Sequence, residues 1–223
     1  MDLNESMLSI GETAYRRIRT DIIFGRLRPE ERLRLDRLKE RYGTSVSTLR
    51  EILNRLTSEG FVVAEGQRGF AVAPISHENL REVSALRALL ECHALDLSLK
   101  NGDMEWEGSV VAAHHKLSQM EQRMIAGDLS VKETWKRYDW EFHQTMIGAC
   151  GSRTLIEIHA AVFDKYLRYQ MISLTFRGRI AADEHRALLE VALARDSHKA
   201  QELLRQHIEN GVEHALASEA LKP

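Results

Sequence analysis

Four side chains in the second half of the sequence have the types and spacing that bind a divalent metal. They are Asp139, His143, His185 and His207. The first two stand four residues apart, inside a helical series of apolar residues that includes Phe142 and Met146. Residues at this spacing lie on one face of a helix, so both side chains can reach one point.

The two later histidines repeat this pattern of a polar group on an apolar face. His185 shares a helical face with Leu188 and Ala192, and His207 shares one with Leu204 and Ile208. A buried imidazole or carboxylate without a partner is costly, so these groups are expected to meet each other or a metal. One carboxylate and three imidazoles suit zinc first, or nickel or manganese, with positions left for water or an anionic effector.

Two other interpretations of these histidines stay open at this point. Each can be a hydrogen-bonded core residue of a metal-free protein, or the metal can activate water in a hydrolase. No carboxylate is clearly placed as a general base beside the four candidate ligands. His159 and His214 also fall near inward faces, whereas His114 and His115 are expected at the surface or at the edge of a pocket.

The composition is that of a globular protein without membrane segments. Of the 223 residues, 43% are hydrophobic and 29% charged, which is ordinary for a soluble domain. No apolar run is long enough to span a membrane, and the polar start of the chain does not resemble a secretion signal. Cys92 and Cys150 are far apart and belong to no CxxC pair. We therefore expect a cytoplasmic protein without structural disulfides.

Proline and charge divide the chain into two predicted domains, residues 1–75 and 76–223. Pro74 ends a β-rich segment, and no further proline occurs until Pro223. The first part carries 13 Lys and Arg against 11 Asp and Glu, although the whole chain has a formal charge of −2. Eight arginines crowd the short stretch between residues 16 and 37.

The periodicity of the first part predicts a winged helix-turn-helix. Helices are expected over 12–24, 35–42 and from an N-cap at Ser45 to about Glu59, with Gly43 ending the second helix. The run FVVAEGQRGFAVA predicts a small β-hairpin. Residues 78–218 are expected to form an antiparallel all-α bundle of about six helices. The predicted fold class is therefore mainly α.

The third helix and the hairpin tip carry the candidate DNA contacts. With Leu49, Ile52, Leu53 and Leu56 facing inward, the helix presents hydroxyls and Arg50 near its N-terminal end, where free N–H groups suit a phosphate or a groove edge. Gly66 and Gly69 flank Gln67 and Arg68 at the tip and permit close approach to a DNA backbone. The candidate residues are Arg34, Arg37, Ser45, Ser47, Thr48, Arg50, Gly66, Gln67, Arg68 and Gly69.

In its first part, the sequence resembles the GntR family of bacterial transcription regulators. The residues that carry the resemblance are GRLRPEERL (25–33), GTSVSTLREILNRLTSEGF (43–61) and GQRGFAVAP (66–74). YDWEFH, EHRALLEVALARD and AQELLRQHIE are similar to the FadR C-terminal ligand-binding domain, or FCD domain. Val46 and Asp36 stand where the family commonly has arginines, and Arg34 and Arg37 are the nearby cations. Ser152 stands in place of the usual asparagine.

The resemblance implies a ligand-responsive regulator that binds double-stranded DNA as a homodimer on a palindromic site. It implies that Ser45, Ser47, Thr48, Arg50 and the wing contact the operator. It also implies a metal held by the same Asp139, His143, His185 and His207, and a small organic acid as effector. Arg87 matches a recurrent arginine that pairs with an effector carboxylate, a bidentate role that suits guanidinium; a structural pair with Glu91 on the helix surface is the alternative.

Overall fold

The computed structural model of the chain describes residues 9–173, 176–218 and 220. Within them the chain forms nine α-helices and one two-stranded antiparallel sheet, which confirms the predicted fold class. It divides into two compact units, one comprising Met1–Ser76 with Leu167–Ile172 and the other His77–Tyr166 with Ser173–Pro223. The first residues of the polar start of the chain, 1–8, and Pro223 lie outside the described residues.

The first unit contains a helix-turn-helix followed by a wing. Its elements are α1 (Ile10–Ile23), α2 (Leu35–Tyr42), α3 (Val46–Ser58), β1 (Val62–Ala64) and β2 (Phe70–Val72). The predicted helix over 12–24 begins earlier, at Ile10, because the Ser9 side chain caps it by accepting from the Glu12 N–H. Gly43 has φ 65° and ends α2, and the Ser45 side chain caps α3 by accepting from the Thr48 N–H.

The three helices pack through the apolar faces that the spacing predicts. Ile18 and Ile22 of α1 and Leu49, Leu53 and Leu56 of α3 are 0% exposed. β1 and β2 pair with Val62 opposite Val72, and a 3-10 turn at Gly66–Arg68 joins them. Gly66 and Gly69 have φ values of 59° and 90°, in the region that favours glycine.

The second unit is a helical bundle. Its helices are α4 (His77–Asn101), α5 (Met104–Ile125), α6 (Lys132–Met146), α7 (Arg153–Ser173), α8 (Arg179–Leu193) and α9 (Ser197–Leu216). The helix α5 packs against α6 and α8, and α9 packs against α4 and α8. Its core includes Val110, Leu117, Phe142 and Leu204, each 0% exposed. No helix in the described ranges is both long and apolar enough to cross a membrane.

Candidate metal centre and DNA-binding surface

The four candidate ligands meet inside the second unit. Asp139 and His143 come from α6, His185 from α8 and His207 from α9, and all four are buried. Each offers one ligand atom, and these four atoms lie within 4.8 Å of one another. The ring centres of His185 and His207 are 4.6 Å apart, and those of His143 and His207 are 5.2 Å apart. Three helices therefore bring the four side chains to one point.

The apolar face of each helix sets these positions. On α6, Phe142 and Met146 are fully buried, so the same face carries Asp139 and His143 inward. On α8, His185 lies beside the buried Leu188. On α9, His207 is next to the buried Ile208 and one turn after Leu204. The hydrophobic packing that forms the bundle is therefore also what orients the cluster.

Each imidazole of the cluster is held by a carboxylate at its Nδ1 atom. His143 Nδ1 bonds Glu91 of α4, His185 Nδ1 lies 2.6 Å from Glu121 of α5, and His207 Nδ1 lies 2.7 Å from Glu184 of α8. A carboxylate accepts from Nδ1–H, which leaves Nε2 as the lone-pair nitrogen of each ring. This carboxylate–histidine arrangement is the usual support of a metal-binding histidine.

The Nε2 atoms of His143 and His185 have no hydrogen-bond partner although both are buried. Asp139 Oδ1 lies 3.9 Å from His143 Nε2, which is too far for a hydrogen bond, and 3.2 Å from His185 Nε2 without the geometry of a hydrogen bond. Orphaned buried polar atoms are rare and need an explanation. A carboxylate oxygen and imidazole nitrogens that face one another without bonds fit a shared divalent cation.

The electrostatics of the cluster support a cation site. Burial alone raises the pKa of Asp139, but Lys136 and the neighbouring histidines hold it well below its usual range. Burial lowers the pKa of His185, yet the carboxylates of Asp139 and Glu121 raise it to about 9. Burial lowers the pKa of His207 to about 3, and the positive charge of its neighbours adds to that shift. Carboxylate charge therefore surrounds the cluster and favours a cation there.

Glu91 is the centre of a buried polar network that sequence reasoning did not find. It bonds His143 Nδ1, accepts from Arg87 Nε at 2.8 Å and lies 2.9 Å from His159 Nε2. Arg87 is 1% exposed, and its guanidinium carbon lies over the rings of Phe163 and Tyr166, 4.4 and 4.5 Å from their centres. The Arg87–Glu91 pair therefore forms in the interior, not on the helix surface as the structural alternative assumed.

Two further carboxylates, Glu121 and Glu184, were also missed. Glu121 lies on the buried face of α5, four residues after Leu117, and Glu184 directly precedes His185. A carboxylate on an apolar helix face is the signal that would have found Glu121. Nothing in the sequence distinguishes Glu184, since its partner His207 lies on another helix.

The remaining histidines divide between interior and surface. His159 is 0% exposed, as its position near an inward face suggests. His214 is exposed, so its expected inward position is wrong; the buried residue of that turn is its neighbour Ala215. His115 is exposed, and His114 lines a cavity of about 440 Å³ between α5 and α8.

The candidate DNA-binding residues of the first unit lie on its surface. Arg34, Arg37, Ser45, Ser47, Arg50, Gly66, Gln67 and Arg68 are exposed, and Thr48 and Gly69 are half-buried. The Ser45 hydroxyl lies 2.8 Å from that of Ser47 and 2.9 Å from that of Thr48. Arg34 donates to Asp36 at 3.1 Å. The side chains of Arg37, Arg50 and Arg68 have no ion pair among the described residues, so they remain available for phosphate or base edges.

Comparison with known proteins identifies both units. Residues 10–72 match the family described as bacterial regulatory proteins, gntR family, and residues 82–210 match the FCD domain. The chain is 37% identical over 206 residues to a protein named the uncharacterized HTH-type transcriptional regulator BphR of Paraburkholderia xenovorans, covering 92% of this chain and 84% of that protein.

Two further comparisons agree with this result. The chain is 35% identical over 204 residues to the HTH-type transcriptional repressor GlaR of Escherichia coli, covering 87% of this chain and 90% of the repressor. Among solved structures, E. coli McbR/YncC superposes with a TM-score of 0.79 at 20% identity, covering 94% of this chain and 98% of that one.

Proposed function

This chain belongs to the GntR family of bacterial regulatory proteins and carries an FCD domain, and from that premise we propose how it acts. It is a DNA-binding transcription regulator and not an enzyme, as the names of its relatives indicate. We propose that it binds a palindromic operator as a homodimer and senses a small organic acid beside a divalent metal. Because its target is DNA, we place its action in the cytoplasm.

Residues 1–75 bind the operator in this proposal. The end of α3 that carries Ser45, Ser47 and Thr48 has free backbone N–H groups and the positive pole of the helix dipole, which suit a phosphate. Arg50 and Arg68 supply unpaired guanidinium groups for phosphate or guanine. A homodimer would present two such surfaces to a site with matching two-fold symmetry.

Residues 76–223 bind the effector and form the dimer in this proposal. The observation that carries it is the set of three histidines whose Nδ1 atoms are held by Glu91, Glu121 and Glu184. With Asp139, their Nε2 atoms would hold a zinc, nickel or manganese ion, which supplies a Lewis-acidic position for an acid group when bound. Arg87 is buried beside His143 and would contribute positive charge toward the acid.

The acid changes operator affinity only if it binds two conformations of the protein with different affinity. Glu91 bonds groups from three helices, α4, α6 and α7, so a ligand that shifts His143 also shifts their packing. Because relatives of this chain are named repressors, we propose that the acid releases the protein from its operator.

Operator affinity in the presence and absence of acid tests this function. The operator is first selected from genomic fragments, and its affinity is then measured by fluorescence anisotropy while small organic acids are titrated. We expect an acid that weakens binding by wild type in the presence of zinc and has no effect on His143→Ala. An equal response of both proteins would contradict the metal-centred proposal and would favour a metal-free regulator with structural histidines.

A further inference from the structure

Val46 is an apolar residue on the exposed face of α3. It is 39% exposed, whereas the other apolar residues of this helix are at most 6% exposed: Leu49, Ile52, Leu53 and Leu56. Those four residues form the inward face of the helix, so Val46 takes no part in its packing. Isolated exposed apolar side chains are normal on a protein surface, so this one has a role only if its position gives it one.

The position of Val46 is the end of α3 that faces DNA in a helix-turn-helix. The second helix of that motif lies in the major groove, and its N-terminal residues contact base edges. In this chain that helix is α3, and Val46 is its first residue. Arg50 follows four residues later on the same exposed face and has no ion pair among the described residues. Val46 therefore lies among the side chains that read the operator.

The side chains beside Val46 are polar and are bonded to one another. Ser45 Oγ accepts from the Thr48 N–H at 3.2 Å, and it lies 2.8 Å from Ser47 Oγ and 2.9 Å from Thr48 Oγ1. A valine side chain has no donor or acceptor, so Val46 adds only methyl groups to this surface. It can contact a base, but it cannot hydrogen-bond one.

The major groove offers one apolar group that distinguishes base pairs, the C5-methyl of thymine. A G·C pair presents only donors and acceptors there, and these lose their water without gaining a partner when a valine covers them. An exposed valine at the reading end of α3 therefore matches a T·A pair and disfavours a G·C pair.

We propose that Val46 contacts the C5-methyl group of a thymine in each half of the operator and so determines the base pair preferred at that position. This rests on the proposed function, in which residues 1–75 bind a palindromic operator. Val46 then contributes to the choice of sequence, whereas contacts to phosphate contribute to affinity for any sequence.

Removal of the methyl group from the DNA tests the contact with unaltered protein. Wild type first selects sites from a random DNA library, and we expect a T·A preference that Val46→Ala does not show. Replacing that thymine by uracil removes only the C5-methyl group. By fluorescence anisotropy it should weaken wild-type binding about 4-fold for each half-site, the effect of exposing one buried methyl or methylene group. Equal affinity of wild type for the thymine and uracil sites would overturn the proposal.

A double-mutant cycle with Val46→Ala assigns the effect to this side chain. The variant should bind the thymine and uracil sites equally, because its shorter side chain no longer reaches the methyl group. Ile180→Ala truncates another exposed apolar residue, on α8, and should keep the wild-type difference. Thermal unfolding is measured for both variants and should match wild type, because both side chains are exposed.

The remaining outcomes separate this inference from the proposed function. A preference for thymine over uracil that Val46→Ala retains in full would overturn the role of Val46, as would selection of DNA without a T·A preference at any position. In both cases operator binding itself would stand. If wild type selects no DNA sequence at all, the proposed operator binding fails together with this inference.

Discussion

Charged side chains are arranged in opposite ways in the two units. In residues 9–76 of the first unit, every arginine but the half-buried Arg19 is exposed, and Arg37, Arg50 and Arg68 have no ion pair among the described residues. In the second unit, Arg87 and Glu91 are 1% and 0% exposed and bond each other. An unpaired surface cation adds little to folding and remains free to bind phosphate, whereas a buried pair is part of the fold.

The first unit itself contains both kinds of arginine. On α3, Arg55 pairs with Glu12 and Glu59 and stacks on Tyr15, with its guanidinium carbon 3.6 Å from the ring centre. Arg50, five residues earlier on the same helix, has no such contacts. The contrast indicates that residue type alone does not identify a DNA contact; the absence of a competing partner is also required.

The largest effect is expected from breaking the interior pair. Arg87→Met leaves the Glu91 carboxylate buried without its guanidinium partner, which should cost about 3–5 kcal/mol of unfolding free energy. Urea unfolding of the metal-free protein measures it. Arg153→Met, at an exposed pair with Glu157, is the surface control and should leave the midpoint unchanged. Equal effects at the two sites would contradict the comparison.

Measuring the free energy of unfolding as a function of pH tests the charge of His185 in the interior. The pKa of His185 is raised to about 9, so its stabilisation is fully present below about pH 6.5 and is lost as the pH rises through about 9. With chelator present, the free energy of unfolding should fall by up to about 3 kcal/mol between pH 7 and pH 10. His185→Gln should lose this part of the slope. A slope that His185→Gln leaves unchanged would show that another group titrates.

Metal addition should stabilise only a protein with the complete cluster. At free zinc 100 times its dissociation constant, wild type should gain about 2.7 kcal/mol of unfolding free energy. His207→Gln preserves a polar contact with Glu184 but removes the third imidazole, so the same zinc concentration should give a much smaller gain. Thermal unfolding with and without zinc measures both, and equal gains would exclude His207 as a ligand.

The smallest effect is expected at the surface of α3. Arg50→Ala should weaken operator binding by about 1–3 kcal/mol and leave folding unchanged. Arg55→Ala should do the reverse, lowering the unfolding temperature while the folded protein keeps its operator affinity. Anisotropy with the selected operator, beside thermal unfolding, separates the two. A larger loss of affinity in Arg55→Ala than in Arg50→Ala would show that unpaired charge does not mark the contact.

The helices and their inward faces could be predicted from the sequence because apolar spacing is a local property. The stripe of Leu49, Ile52, Leu53 and Leu56 is buried as expected. The same spacing argument predicted that Asp139 and His143 lie on one inward face, and both are buried. Ser45 and Gly43 were recognised as helix boundaries because capping depends on a few adjacent residues.

The partners of the histidines could not be predicted in the same way. Glu91, Glu121 and Glu184 lie on three helices, and each meets a histidine from a different helix, so their contacts depend on the register of the bundle. The burial of polar residues on α4 could not be predicted either. Ser84, Arg87 and Glu91 are buried there, although their residue types are typical of a surface.

The metal content of untagged protein tests the central claim most directly. Protein purified without a histidine tag is incubated with zinc, nickel or manganese, dialysed and analysed by mass spectrometry of the elements, beside Asp139→Asn. The account predicts about one divalent ion per wild-type chain for at least one of the metals and far less for the variant. Wild type that retains none of the three ions, or a variant that retains as much, would contradict it.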